Sequence, residues 1–244
     1  MKKLIVLILI FLVGCIGNYT NQHAEGKINF RKSIYNNKIK PLSIIEISFK
    51  NAGLVDIHKL DTNIKVDLKY STKNNLFGFD AYGALEKAYL QKDVANKLIN
   101  AQKKLSENMP GAKLIIFDAA RPRRVQQILW DSLKMPFKEK IKYVSNPKNG
   151  SLHNFGAAVD LSILNKFGKE LDMGSFFDFI GELSNTDNEN KLLNKGKLSL
   201  NQIKNRKLLR KIMKDAGFFN IQSEWWHFNS CTRKEAFEKY TIIE

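Results

Sequence analysis

The chain has 244 residues, 43% hydrophobic and 11% aromatic, with a formal net charge of +16. That length supports one good core with at most a small appendage, and the composition excludes a disordered or collagen-like chain. The lysine excess suits either an anionic partner or a solvated surface. No basic run is interleaved with aromatic residues and no nucleic-acid motif is present, so a solvated surface is the preferred reading and nucleic acid is not expected as a partner.

The N-terminus reads MKKLIVLILIFLVGC: a basic start, then an apolar run from Leu4 to Val13. The run is too short for a stable bilayer span and fits the core of a signal peptide. It ends in Leu12-Val13-Gly14-Cys15, which resembles a bacterial lipobox. That resemblance implies cleavage before Cys15, lipid attachment at Cys15, and an exported protein anchored to a membrane on the periplasmic side or at the cell surface. An ordinary secretory signal or an uncleaved anchor is the alternative. Cleavage there leaves Cys231 as the last cysteine, so no internal disulfide can form. Residues 1–14 are thus expected to be the signal peptide, 15–50 a polar Asn/Lys-rich tether, and 51–244 the functional domain.

Alternation of Ile64, Val66, Leu68 and Tyr70 with Lys65, Asp67 and Lys69 predicts a half-buried strand, followed by an irregular Gly- and Asn-bearing loop. Val94, Leu98, Ala101 and Leu105 mark the inner face of a helix from Lys92 to Ser106, punctuated by Pro110-Gly111. KLIIFDAA predicts a buried strand, and RPRRVQQILWDSLK a helix with Pro122 near its first turn. AAVDLSIL predicts another strand. NQIKNRKLLRKIMKDAGFF predicts a helix closed by Gly217, and FNIQSEWWHFNS a final strand. Strands and helices alternate without a regular βαβ repeat. The expected class is therefore α+β, with a central antiparallel sheet and flanking helices.

Of four histidines, His153 and His227 lie in Gly- or aromatic-rich segments near carboxylates, His153 with Asp160 and His227 with Glu224. A histidine in an apolar segment is commonly a hydrogen-bonded core residue. Asp160 inside a β run is harder to dismiss, because burying an uncompensated carboxylate costs several kcal/mol. A metal ion compensates it, and two histidines with one carboxylate form a familiar zinc set that keeps a fourth position open for water. Glu224 is then free to act as base. Residues seven apart on a straight strand face opposite ways, so His153 and Asp160 share an ion only if the chain bends, and Gly156 is the natural place. Glu224 and His227, three apart, need a turn or strong twist between them.

SLHNFGAAVD together with EWWHF resembles the zinc D-alanyl-D-alanine dipeptidases, within the wider hedgehog/DD-peptidase group. KYSTKNNLFG, FDAARP and DMGSFFDF resemble stretches specific to the dipeptidase branch, and together the likeness covers roughly residues 55–240. One departure is Ala120, where many relatives carry an aromatic residue before the Arg-Pro pair. The resemblance implies a hedgehog/DD-peptidase-like fold. It implies one Zn2+ per chain held by His153, Asp160 and His227, with Glu224 as general base and then acid, and Arg121 stabilising the oxyanion. It further implies that Asp178 meets the substrate's ammonium group and that Ser151 lies near its carboxylate, with Tyr70 and Asn75 lining the pocket. The expected activity is hydrolysis of the D-Ala-D-Ala dipeptide in cell-wall peptide turnover or scavenging. A zinc DD-carboxypeptidase trimming stem peptides, or a metal-binding lipoprotein that does not cleave, are the alternatives.

Overall fold

The computed structural model describes residues 42–141 and 143–244. The expected signal peptide, Cys15 and the tether up to residue 41 lie outside the described residues. The tether expected to reach residue 50 is corrected by the first element, helix α1 (Ile44–Asn51). Ser43 accepts the Glu46 N–H and Glu46 reaches back to the Ser43 N–H, a capping box that starts the helix. Ile45 and Phe49 enter the core. Burying a phenylalanine contributes about 1.5–3 kcal/mol, which a free tether would forgo.

Strand β1 (Val55–Asp56) pairs antiparallel with β3 (Tyr89–Leu90) in a small separate sheet. The main sheet has five strands in the order β2-β4-β5-β7-β6: β2 (Lys65–Val66), β4 (Lys113–Asp118), β5 (Ala158–Leu164), β7 (His227–Asn229) and β6 (Phe219–Asn220). Its pairs are antiparallel except β2 with β4, so the expected α+β class holds with one parallel edge. The strand expected across 63–72 is shorter than its alternation suggests. After β2 the chain turns into a 3-10 segment, Lys69–Ser71, that directs Tyr70 inward.

Helix α2 (Lys92–Asn108) buries Val94, Leu98, Ala101 and Leu105 completely, as their spacing predicts, and packs against β4. Gln102 donates to the Ala112 carbonyl and accepts the Leu114 N–H, tying the helix to the start of β4. Pro122 caps helix α3 (Arg123–Ser132), a one-turn helix α4 (Phe137–Lys140) follows, and α5 (Glu189–Asn194) precedes α6 (Leu200–Asp215). Gly217, at φ +88°, closes α6 where a left-handed residue is required. Helix α7 (Arg233–Lys239) follows β7, and beyond it Ile243 is buried in the core. Among the described residues no helix is long and apolar enough to cross a membrane.

Two departures from regular strands shape the middle of the sheet. The final segment is a hairpin rather than one strand: β6 and β7 pair Phe219 with Asn229, leaving 221–226 as the turn that carries Glu224. On β4 the register shifts between Ile116 and Asp118, so Asp118 faces Asp160 while Ile116 faces Leu161. Regular alternation would have kept Asp118 on the Ile116 face, and the bulge turns it to the face of Asp160.

The bend expected at Gly156 is present, with φ +65° closing the 3-10 turn Leu152–Phe155 just before β5. A Cβ there would sit 2.8 Å from Leu54 Cδ2 and 3.3 Å from the Gln91 backbone N. Gly168 has a similar φ of +78° with nothing within 4 Å. Gly168→Ala is expected to cost about 1–2 kcal/mol from left-handed strain alone. Gly156→Ala should cost measurably more in urea denaturation, and equal losses would show that the Leu54 contact does not matter.

Candidate metal centre

Each ligand candidate is aimed by its own piece of backbone. Ser151 opens the 3-10 turn with a capping box to Asn154, and His153 sits on its second position. The turn is pinned to the β4–α3 connection in both directions. The Arg121 N–H donates to the His153 carbonyl at 2.9 Å, and Asn154 Nδ2 donates to the Arg121 carbonyl at 2.7 Å. Asp160 lies mid-strand on β5, directly across from His227 on β7.

The second nitrogen of each imidazole is already engaged. His153 Nδ1 lies 2.7 Å from the Ala119 carbonyl, and His227 Nε2 lies 2.9 Å from Asn229 Oδ1. Both partners are acceptors, so these nitrogens carry the protons, leaving His153 Nε2 and His227 Nδ1 as bare lone pairs. Those lone pairs are 3.1 Å apart, and Asp160 Oδ1 lies 2.9 Å from His227 Nδ1 and 3.4 Å from His153 Nε2. Three acceptors facing one another have no proton to share. Bond lengths of about 2.0–2.1 Å in a tetrahedron place ligand atoms about 3.3 Å apart, so the residues fit a zinc ion. All three are buried.

Glu224, on the β6–β7 turn, brings its carboxylate 3.9 Å from His227 Nδ1. Burial pushes its carboxyl up to about 7, and Asp160 and Asp178 add to it. Arg121 is buried, not the surface ion pair a helix start would suggest. Its Nε and Nη2 donate to Asp118 Oδ2 at 2.8 and 2.5 Å, Nη1 donates to Gln126, and Nη2 lies 3.8 Å from Asp160 Oδ2. Three of its five N–H groups are engaged and two remain for a ligand. The Tyr70 ring lies 5.0 Å from the guanidinium carbon.

The Tyr70 hydroxyl donates to Asp178 Oδ2 at 2.7 Å. Asp178 holds φ +63°, the only positive-φ residue other than glycine among those described, on a loop clamped from behind. Arg206, fully buried on α6, donates to the Met173 and Leu183 carbonyls, and Trp225 Nε1 donates to Ser175. The three ligand candidates, Glu224, Arg121, Tyr70, Ser151 and Asp178 all line one cavity of about 740 Å³. Asn75 does not line it. Its amide spans the Lys69, Thr72 and Phe79 carbonyls and accepts the Phe77 and Gly78 N–H groups, so it shapes the loop behind the cavity instead.

The motifs in the sequence assign no role to the layer behind these groups. Asp118, fully buried, accepts from Arg121 and from the Tyr82 hydroxyl at 2.6 Å, and Gln126 links Arg121 to the Ser145 carbonyl. The signal that exposed Asp160, a carboxylate inside an apolar strand, was equally present for Asp118 in KLIIFDAA. Nothing in the spacing of Tyr82 or Asn229 marks either one.

A buried His-Asp-His set open on one side, with a raised-pKa carboxylate beside it and a cation across from it, is the centre of a metallopeptidase. A family model described as Peptidase M15, D-Ala-D-Ala dipeptidase, matches residues 50–241, and the chain belongs to that zinc-dependent family. It is 33% identical over 175 residues to a D-alanyl-D-alanine dipeptidase of Escherichia coli (strain K12), covering 72% of this chain and 83% of that protein. Similar enzymes of the same name occur in Synechocystis, 28% identical over 57% of this chain and 68% of that protein, and in Enterococcus faecium, 27% identical over 72% and 90%.

Burial pushes the Asp178 carboxyl up to about 7, with Asp160 adding to it and the Tyr70 hydrogen bond and Arg121 opposing. A folded-state value above the unfolded one near 3.9 means ionisation opposes folding, absent below about pH 4 and complete above about pH 7. Asp178→Asn keeps a residue tolerant of left-handed backbone and an acceptor for Tyr70. Its melting temperature relative to wild type should therefore rise between pH 4 and pH 7 in thermal denaturation; a difference independent of pH would count against this account.

Proposed function

We propose that this chain hydrolyses the D-alanyl-D-alanine dipeptide to two D-alanines, using one zinc ion held by His153 Nε2, Asp160 Oδ1 and His227 Nδ1. The observation that carries the reading is the convergence of those three bare lone pairs within 3.4 Å of one another, with the Glu224 carboxylate 3.9 Å from one of them. Zinc in such a set supplies a Lewis acid and lowers the pKa of water to about 7.

The chain's own groups do the rest. Glu224, 3.9 Å from His227 Nδ1, takes a proton from the attacking water and returns it to the leaving amine. The two free N–H groups of Arg121 face the oxygen on which negative charge develops, in a site where such a donor is worth about 3 kcal/mol. Asp118 and Gln126 hold that guanidinium so that it does not reorganise during the reaction. Asp178 meets the substrate's ammonium group, Ser151 lies toward its carboxylate, and Tyr70 braces Asp178.

The zinc DD-carboxypeptidase reading is the second one. A stem peptide is attached at its amino end and has no free ammonium for Asp178, so the dipeptide is favoured. Cleavage of a stem pentapeptide but not of D-Ala-D-Ala would reverse that order. Glu224→Gln should lower kcat on the dipeptide at least about a thousandfold, in the range of acid–base and preorganised electrostatic effects. It should still bind one zinc per chain in a metal titration; retained activity would remove Glu224 from the mechanism.

The lipobox-like LVGC supports export and lipid attachment at Cys15, and the dipeptide would then be scavenged from wall turnover outside the cytoplasm. In cells producing the full chain, Cys15→Ser should move the protein from the membrane fraction to the soluble fraction. Wild-type protein recovered from the cytosol without lipid would exclude this placement.

A further inference from the structure

A free dipeptide is a zwitterion, so a pocket that selects it must offer one charge of each sign that is not already neutralised. Among the described residues, the carboxylates lining the cavity are Asp160, Asp178, Glu182 and Glu224. Asp160 belongs to the ligand set, Glu224 stands beside it, and Glu182 is paired with Lys197. Asp178 remains for the ammonium group.

The same accounting on the cationic side gives a residue that no motif marks. The permanent cations lining the cavity are Arg121 and Arg233. Arg121 is neutralised by Asp118 and lies close to Asp160. Arg233, at the start of α7, meets no carboxylate among the described residues. Its Nη1 donates to the Asn149 carbonyl at 2.9 Å and its Nη2 to the Gly150 carbonyl at 2.7 Å. Those carbonyls immediately precede Ser151 in the chain. Two neutral acceptors thus hold the guanidinium beside the Ser151 wall and leave its charge unspent. Nε and one N–H on each Nη stay free, a fork that matches a carboxylate.

We propose that Arg233 is a specificity-determining residue that receives the free C-terminal carboxylate of the substrate, together with the Ser151 hydroxyl, and so restricts the site to peptides that end at this wall. The proposal rests on the dipeptidase reading above and deepens it. Asp178 and Arg233 then read the two ends of the zwitterion, while Arg121 serves the reacting carbonyl.

The test uses zinc-loaded protein with D-Ala-D-Ala and its C-terminal amide, which share the scissile bond and differ in the terminal charge. Wild type should prefer the acid by about 10- to 100-fold in kcat/KM, the range of a charge-assisted hydrogen-bonded pair. Arg233→Gln should lose about that factor more on the acid than on the amide, chiefly through KM, so that the preference collapses. Arg233→Lys should restore part of it. Equal losses on both substrates would assign Arg233 to holding the Asn149 and Gly150 carbonyls and overturn the proposal, as would an unchanged preference. Should Arg233→Gln not fold, wild type carries the test: the acid-to-amide preference must shrink toward about 0.5 M salt, and a constant preference overturns the proposal. Wild type that cleaves neither substrate would remove the dipeptidase reading itself and this inference with it. Wild type that cleaves the acid without any Arg233 dependence would remove only the inference.

Discussion

Three lone pairs held face to face without a proton between them are the constraint on which the rest of this structure depends. His153 Nε2, His227 Nδ1 and Asp160 Oδ1 lie 2.9–3.4 Å from one another. The far nitrogen of each ring faces an acceptor, the Ala119 carbonyl for His153 and Asn229 for His227, so in the neutral imidazoles the near nitrogens meet as lone pairs. A cation is what such an arrangement stabilises most, and the zinc dependence of the family agrees with that chemistry.

Much of the architecture serves to keep those atoms in place. The left-handed residue at Gly156 swings the His153 turn back over β5, and the hairpin between β6 and β7 brings Glu224 beside the ion site instead of onto the far face of a strand. The β4 bulge turns Asp118 toward Asp160, where it holds Arg121 without competing for the metal position. Arg206 and Trp225 do the corresponding work from behind for the loop carrying Asp178, a residue in strained backbone that needs external support. The result is a cavity lined by the His-Asp-His set, by Glu224 and Arg121 beside it, and by Asp178 and Arg233.

The helices were legible where periodicity was unambiguous. Val94, Leu98, Ala101 and Leu105 are fully buried on α2, and Gly217 closes α6. The strands were less so. Alternation through 63–72 suggested a longer strand than β2, because a 3-10 turn at Lys69–Ser71 buries Tyr70 just as a strand would. The stretch from Phe219 to Ser230 read as one strand because the turn residues 221–226 include no Gly or Pro. The tether ends where the Ser43–Glu46 capping box meets the apolar residues Ile44, Ile45, Ile47 and Phe49, a local helix signal of which Ile45 and Phe49 enter the core.

The sequence by itself determined the ligand chemistry. A carboxylate in an apolar strand, two histidines in unusual surroundings and a glycine between His153 and Asp160 already demanded a cation and a bend. That is because burial of charge is costly wherever it occurs and can be recognised one strand at a time. The tertiary structure alone decided which neighbours complete the site. It withdrew Asn75 into its own loop, placed Asp118, Gln126 and Tyr82 behind Arg121, and left Arg233 uncompensated on the cavity wall. Those roles depend on which charges are already neutralised, a property of contacts between segments as much as 108 residues apart, as for Tyr70 and Asp178, that no local pattern encodes.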